Sequence, residues 1–275
     1  MLKLSGIFAT LPTPFDWDGN IYSVKVHHNV ARWNRVVLSG YVVGGRTGEA
    51  SELSLEEKLQ LLAMVKQAAG PERVLIAGVG GESLREAIAI SKQAAELGYH
   101  AVLADPIARE ASAAYYRTLA DRSPLPLIVA GAGAETAALV SQHPNVAAVV
   151  VPGEVGALKD KVRAGVQLIA GNTATVARDL QDGATAAILA YAAAAPYSTI
   201  TIWEAVRTRD TNAAADWQKR MANAVNLVES KYGIAGLKYA MDVNGYYGGA
   251  PRLPLAPLPP VAKPEIEQAF DGLKG

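Results

Sequence analysis

Short apolar runs of four to eight residues recur along the chain, and most of them lack alternating polar residues. Strands that are buried on both faces have this pattern, as in a parallel sheet covered by helices. The eight runs cover residues 4–11, 40–44, 74–79, 100–104, 126–130, 146–151, 166–170 and 186–189. We expect each run to form one strand of a single parallel sheet.

Amphipathic segments between these runs predict helices. The first covers residues 23–38. The segment 54–68 opens with Ser54 and carries Glu57 three residues later, which is the capping-box pattern that starts a helix. The segment 83–97 opens in the same way, so helices are expected to alternate with the strands.

Eight strands that alternate with helices predict an α/β fold, the (β/α)8 TIM barrel, which typically needs about 250 residues. An open doubly wound sheet is the alternative, but it normally carries a glycine-rich turn after the first strand. Here the first strand continues into a Leu-Pro-Thr-Pro-Phe segment, which favours the barrel. Three additional C-terminal helices are predicted at residues 212–230, 233–242 and 264–273. We therefore expect a barrel over residues 1–210 and a helical extension over residues 211–275, packed on the barrel as one structural unit.

The composition narrows the classes of function. Lys and Arg total 26, as do Asp and Glu, so the chain lacks the basic surface expected of a nucleic-acid or anionic-membrane binder. The absence of cysteine excludes disulfides, thiolate metal sites and a Cys nucleophile. The longest apolar stretch, residues 186–195, is about half of the roughly 20 residues that a membrane span needs. We expect a cytoplasmic protein that binds neither nucleic acid nor membrane.

The loop after the second strand carries the clearest candidate chemistry, because barrel enzymes place their active sites at the carboxyl ends of the strands. It reads Gly-Gly-Arg-Thr-Gly-Glu at residues 44–49. Thr47 offers a hydroxyl, and Arg46 offers a planar guanidinium suited to a carboxylate or phosphate. The alternative is a tight loop in which Arg46 pairs with Glu49 or with a neighbouring loop.

Asn172, after the seventh strand, also allows two interpretations. A Gly-Asn-Thr sequence before a helix can bind an anion through its backbone N–H groups. Ordinary capping of that helix by Asn172 or Thr173 is the alternative, and it is the favoured one.

The four histidines do not form a metal-binding set. His27 and His28 are adjacent on a predicted helix and cannot share a face, since helix ligands need a spacing of three or four residues. His100 and His143 precede strands, at the end of the barrel opposite the expected site. We expect no metal and no cofactor.

Several segments together resemble the dihydrodipicolinate synthase / N-acetylneuraminate lyase family. The opening Gly6–Thr10, followed by a Thr-Pro-Phe segment, is similar to the start of that family, and residues 45–49 match its G-T-T-G-E loop. Further similar segments are residues 53–57, 74–80, 97–98, 125–126, 143–146, 236–238 and 252–255. The resemblance implies a (β/α)8 barrel with C-terminal helices that assembles as a homodimer or homotetramer.

The resemblance also implies class I aldolase chemistry, from which this sequence departs. In the family, a lysine ending strand six forms a Schiff base with pyruvate or a related 2-oxo acid, and a tyrosine ending strand five relays protons. Those positions fall at Val150 and Ala130, and the first loop threonine falls at Arg46. An arginine that often binds carboxylate falls at or near Glu135. None of the twelve lysines ends a predicted strand, where a desolvated amine could meet a carbonyl, so imine chemistry is predicted to be absent.

Three hypotheses follow. The chain is a lyase-like enzyme of changed mechanism that acts on a small anionic carboxylate metabolite, a non-catalytic binding or partner subunit, or a family lyase whose strand register differs from the one above. For the first hypothesis, the expected substrate-binding residues are Gly45, Arg46, Thr47, Gly48, Asn172 and Ile188. The candidate acid or base residues are Glu49, Asp105 and Glu135.

Overall fold

The computed structural model of the chain describes residues 2–79, 83–106 and 112–273. Eight parallel strands pair in chain order, and the last pairs with the first, so the sheet closes into a barrel. The strands are β1 (Gly6–Thr10), β2 (Gly40–Val43), β3 (Val74–Gly78), β4 (Ala101–Ala104), β5 (Leu127–Val129), β6 (Val146–Val151), β7 (Gln167–Ala170) and β8 (Ala186–Leu189). The predicted TIM barrel is confirmed.

The interior of the barrel is a packed apolar core. Phe8 of β1 lies level with Gly40 of β2 and with Ile188 of β8, and its side chain is fully buried. Alternate residues of the other strands, among them Ile76 and Ile169, join the same cluster. This filling explains the unbroken apolar runs in the sequence, because both faces of each strand are covered.

Helices surround the barrel and extend beyond it. They are α1 (Ser23–Trp33), α2 (Leu55–Ala68), α3 (Leu84–Glu96), α4 (Ala113–Arg122), α5 (Ala134–Val140), α6 (Val176–Gln181), α7 (Pro196–Arg207), α8 (Thr211–Val225), α9 (Gly233–Val243) and α10 (Ala262–Ala269). The predicted capping box of α2 is present, since the Glu57 N–H donates to Ser54 Oγ and the Ser54 N–H donates to Glu57 Oε2. None of these helices is both long and apolar enough to cross a bilayer.

Two segments differ from the helices that the sequence predicts. A short 3₁₀ turn, Val155–Leu158, connects β6 to β7 in place of an α-helix. The single helix predicted at 212–230 is divided, because α8 ends at Val225 and a π-helical turn, Asn226–Lys231, leads to α9. The C-terminal helices return to the barrel, where Phe270 stacks on Tyr191 with ring centroids 5.6 Å apart.

A buried ion pair joins α9 to the loop after β2. Lys238 Nζ lies 2.5 Å from Glu49 Oε1, and both side chains are 0% exposed. The ammonium also donates to the carbonyl of Ala250, and the N–H of Arg252 donates to Glu49 Oε2. Burial lowers the pKa of Lys238, and the Glu49 carboxylate opposes that shift. Glu49 itself has a φ of 59°, in the left-handed region, so the pair also holds an unfavourable backbone conformation.

We expect Lys238→Met to lower the free energy of unfolding by about 3–5 kcal/mol, because it leaves the Glu49 carboxylate buried without its partner. Urea unfolding monitored by circular dichroism measures the change. Lys231→Met is the matched control, since that lysine pairs with Glu265 at the surface and should matter little. A Lys238→Met protein as stable as the control would contradict this role of the pair.

Candidate active site

A cavity of about 330 Å³ opens at the carboxyl ends of the barrel strands. This volume lies within the range of about 300–1,000 Å³ typical of small-molecule sites. Three parts of the chain line it: the strand ends, the loops after β2 and β4, and the segment from the π-helical turn into α9. The cavity therefore lies where barrel enzymes carry their chemistry.

The strand ends give the cavity an apolar floor. Ala130 follows β5, Val150 lies near the end of β6, and Leu103 and Ile188 come from β4 and β8. Gly171 after β7 touches the same floor, and a Cβ atom at that position would lie 2.4 Å from Val150 Cγ1. The glycine thus makes room for the valine. Neither residue has a side-chain group that can donate or accept a proton.

Two polar pairs form the rim. Thr10 Oγ1 donates to Thr47 Oγ1 at 2.9 Å. The guanidinium of Arg46 binds Asp105 with two hydrogen bonds, from Nε to Oδ2 at 3.1 Å and from Nη2 to Oδ1 at 2.9 Å. The Arg46 side chain is 63% exposed, so this pair borders the opening and is not buried beneath it.

A third polar group, Glu229, reaches the cavity from the π-helical turn. Its Oε1 accepts hydrogen bonds from the Thr173 hydroxyl at 2.8 Å and from the Tyr191 N–H at 3.0 Å. Burial raises the pKa of the Glu229 carboxyl, and these two donors partly oppose the shift. Nothing in the sequence singles out this residue, because its position is that of an ordinary charged residue on an amphipathic helix.

The structure brings together four of the residues that the sequence proposed for the site. Arg46, Thr47, Asp105 and Ile188 all line the cavity. Arg46 pairs with Asp105 in the neighbouring loop and not with Glu49. The sequence left both pairings open, and the structure contains the one with the neighbouring loop.

Two of the proposed acid or base residues do not line the cavity, which corrects the sequence-based expectation. Glu49 is buried against Lys238, because the left-handed turn of its backbone directs the carboxylate toward α9. Glu135 lies exposed in the first turn of α5, where an acidic residue complements the helix dipole.

Three proposed substrate-binding residues also lie outside the lining. Asn172 caps the 3₁₀ turn that follows it, since its Oδ1 accepts from the N–H of Ala174 at 2.9 Å. Gly45 and Gly48 are buried and shape the loop beneath Arg46, with the Gly48 carbonyl accepting from the Thr13 hydroxyl. The structure therefore contains the favoured alternative for Asn172, in which its side chain caps the turn that follows it.

No lysine in the described part of the chain lines the cavity. The buried Lys238 is adjacent in sequence to a lining residue, Leu237. Its ammonium faces Glu49 and the ring of Phe15. One lysine, Lys274, lies outside the described residues. Within residues 2–79, 83–106 and 112–273, no three His, Asp or Glu side chains are grouped as a metal site would require.

The sequence profile of the Dihydrodipicolinate synthetase family matches residues 3–272. The chain belongs to this family. Among curated members, it is 25% identical to a 4-hydroxy-tetrahydrodipicolinate synthase of Exiguobacterium sp. over 97% of each chain. It is also 38% identical to an N-acetylneuraminate lyase of Rhizobium meliloti over 53% of this chain and 52% of the other.

Solved structures of the family share the fold. A dihydrodipicolinate synthase from Bacillus anthracis superposes with a TM-score of 0.92 at 22% identity and covers the whole of both chains. A sialic acid aldolase from Ruminococcus gnavus gives a TM-score of 0.88 at 19% identity, over 98% of this chain and 96% of the other. The barrel with C-terminal helices is thus common to the chain and to these members.

We expect Arg46→Ala to lower the free energy of unfolding by at most about 1 kcal/mol, because exposed ion pairs contribute little. Chemical denaturation measures this value. Arg73→Ala is the control and should cost more, since its nearly buried guanidinium donates to the carbonyls of Asn34, Val36 and Leu38. If Arg46→Ala unfolds the protein, the arginine serves to hold the loop and not to bind a ligand.

Proposed function

We propose that the chain is a lyase-like enzyme of changed mechanism, which binds a small carboxylate metabolite in the barrel-mouth cavity and does not form an imine. The observation that carries this proposal is the composition of the cavity. It combines a guanidinium at the rim, a partly buried carboxyl opposite the strand ends, and no amine among its described lining residues.

Arg46 is the proposed anchor for the carboxylate, and Thr47 is the proposed donor to a second oxygen of the metabolite. Asp105 occupies Nε and Nη2 of the guanidinium, and Nη1 has no hydrogen-bond partner among the described residues. Because Thr10 donates to Thr47, the hydroxyl hydrogen of Thr47 can be directed to a ligand. A metabolite at this rim would meet a charged donor for its carboxylate and a neutral donor for another oxygen.

The proposed loss of imine chemistry rests on the cavity floor. Val150 and Ala130 stand where the family resemblance puts the Schiff-base lysine and the proton-relay tyrosine. A valine has no nucleophilic atom, and an alanine cannot relay a proton. The phenol of Tyr116 reaches the backbone of Ala130, but it donates to the carbonyl oxygen there at 2.7 Å and does not line the cavity.

A non-catalytic binding or partner subunit is the second candidate function. The same apolar floor supports it, because the positions assigned to the family's reactive groups now carry hydrocarbon side chains. Assembly as a homodimer or homotetramer, which the resemblance implies, is part of either proposal. Light scattering after size-exclusion chromatography tests that assembly.

We expect incubation with pyruvate and borohydride to leave the intact mass unchanged, because no lysine among the described residues lines the cavity. Mass spectrometry measures this, and a pyruvyl adduct on any lysine would overturn the exclusion of imine chemistry.

We expect at least one member of a panel of small 2-oxo and 2-hydroxy acids to raise the unfolding temperature. A ligand at 100 times its Kd adds about 2.7 kcal/mol of stability. Arg46→Ala should abolish the shift in unfolding temperature while the free protein stays folded. Arg207→Ala, a change at the exposed end of α7, should leave that shift unchanged. The proposal fails if no acid in the panel stabilises the wild-type protein.

We expect Val150→Lys alone to give no aldol turnover, since the position of the proton relay remains Ala130. Release of pyruvate from a 4-hydroxy-2-oxo acid measures turnover. Cleavage by the single variant would show that another group of the cavity replaces the family's tyrosine, which is absent at Ala130.

A further inference from the structure

We propose that Glu229 is the acid–base residue of the cavity and that it removes a proton from the carbon beside the carbonyl of a bound 2-oxo acid. This inference rests on the proposed function and narrows the substrate to carboxylates that carry such an acidic C–H bond.

The position of Glu229 comes from an unusual piece of backbone. It lies in the π-helical turn Asn226–Lys231, which connects α8 to α9 above the barrel mouth. A π-helical turn widens the helix by one residue and is found frequently at functional sites. Here the turn directs Val228 and Glu229 to the cavity, while Lys231 stays at the surface with Glu265.

One carboxylate oxygen is held and the other is available. Oε1 accepts from the Thr173 hydroxyl and the Tyr191 N–H, two donors from separate segments of the barrel mouth. Oε2 has no hydrogen bond to any described residue, and the side chain is only partly buried. The held oxygen fixes the orientation of the group, which leaves the second oxygen for a ligand in the cavity.

No described cation neutralises this carboxylate. Asp105, the other acidic residue that lines the cavity, pairs with Arg46, and Glu49 at the end of the Arg46 loop pairs with Lys238. Partly buried carboxylates usually have such a partner, so an uncompensated one beside a cavity needs a reason. Since burial raises its pKa, the ionised form of Glu229 is a stronger base than a solvent-exposed glutamate.

The cavity supplies the remaining parts of the step. Glu229 Oε2 takes the proton from the carbon, the C–H electron pair becomes the new C=C bond, and the carbonyl π pair moves to its oxygen. The Thr47 hydroxyl is the donor proposed for that oxygen, and Arg46 holds the carboxylate. Return of the proton to carbon completes the exchange, so no oxidant, reductant or second substrate is needed.

Deuterium exchange tests this inference. Wild-type protein in D2O should replace the carbon-bound protons of pyruvate or 2-oxobutyrate, which ¹H NMR follows as loss of the methyl or methylene signal. We expect Glu229→Gln to slow the exchange by at least about 100-fold, since a positioned base contributes that much or more. The Kd of the acid should stay within about twofold of the wild-type value, because the anchor at Arg46 is intact.

Glu265→Gln is the control, and Asp105→Asn tests the competing assignment. Glu265 is an exposed carboxylate on α10, so its change should leave exchange untouched. Exchange that persists in Glu229→Gln but is lost in Asp105→Asn would transfer the role to Asp105, which overturns the inference and leaves the proposed function standing.

The remaining outcomes are also decisive. If a 2-oxo acid binds and wild-type protein exchanges none of its protons, the inference is wrong, although binding still supports the proposed function. If no acid binds, both proposals fail. Should Glu229→Gln not fold, Glu229→Asp withdraws the carboxylate by one methylene group, and an exchange rate equal to wild type would then refute the role.

Discussion

The buried ion pair of Glu49 and Lys238 joins two parts of the molecule that both line the cavity. Glu49 ends the loop that carries Arg46 and Thr47, and Lys238 belongs to α9, whose first turns also line the cavity. Two fully desolvated charges tolerate separation poorly, since each would remain in the interior without compensation. The contact between these two parts of the lining therefore depends on an interaction whose side chains do not line the cavity.

The lining of the cavity has two parts, an apolar floor and a polar rim. The floor continues the packing of the barrel interior, in which apolar side chains from alternate strand positions interlock. Apart from Thr10 at the end of β1, the polar groups come from elements that the barrel does not determine, namely the loops after β2 and β4 and the turn between α8 and α9. Chemistry in such a site has to come from the loops and the helical extension, which is consistent with a family fold that supports more than one mechanism.

Glu229 differs from the buried Lys238 and the nearly buried Arg73 in what stabilises its charge. Lys238 is held by a carboxylate, and the nearly buried Arg73 binds three backbone carbonyls, so each is stabilised by partners of the described chain. Glu229 is stabilised by two neutral donors on one oxygen only. This imbalance, together with the cavity beside it, is the reason to assign it a role in chemistry and not in folding.

The chain sequence by itself determined the barrel, because eight doubly buried strands require unbroken apolar runs, and each run became a strand. It also determined that no lysine ends a strand, since this is a matter of residue identity and order. Tertiary structure decided what local patterns could not express. The helix expected at 23–38 ends at Trp33. Beyond that point Arg73, distant in sequence, donates hydrogen bonds to the carbonyls of Asn34, Val36 and Leu38. Glu49, a candidate acid from its place in the sequence, is buried against Lys238, and Glu229 reaches the cavity only through the π-helical turn between α8 and α9. In each case the deciding partner is distant along the chain, so neither spacing nor periodicity records it.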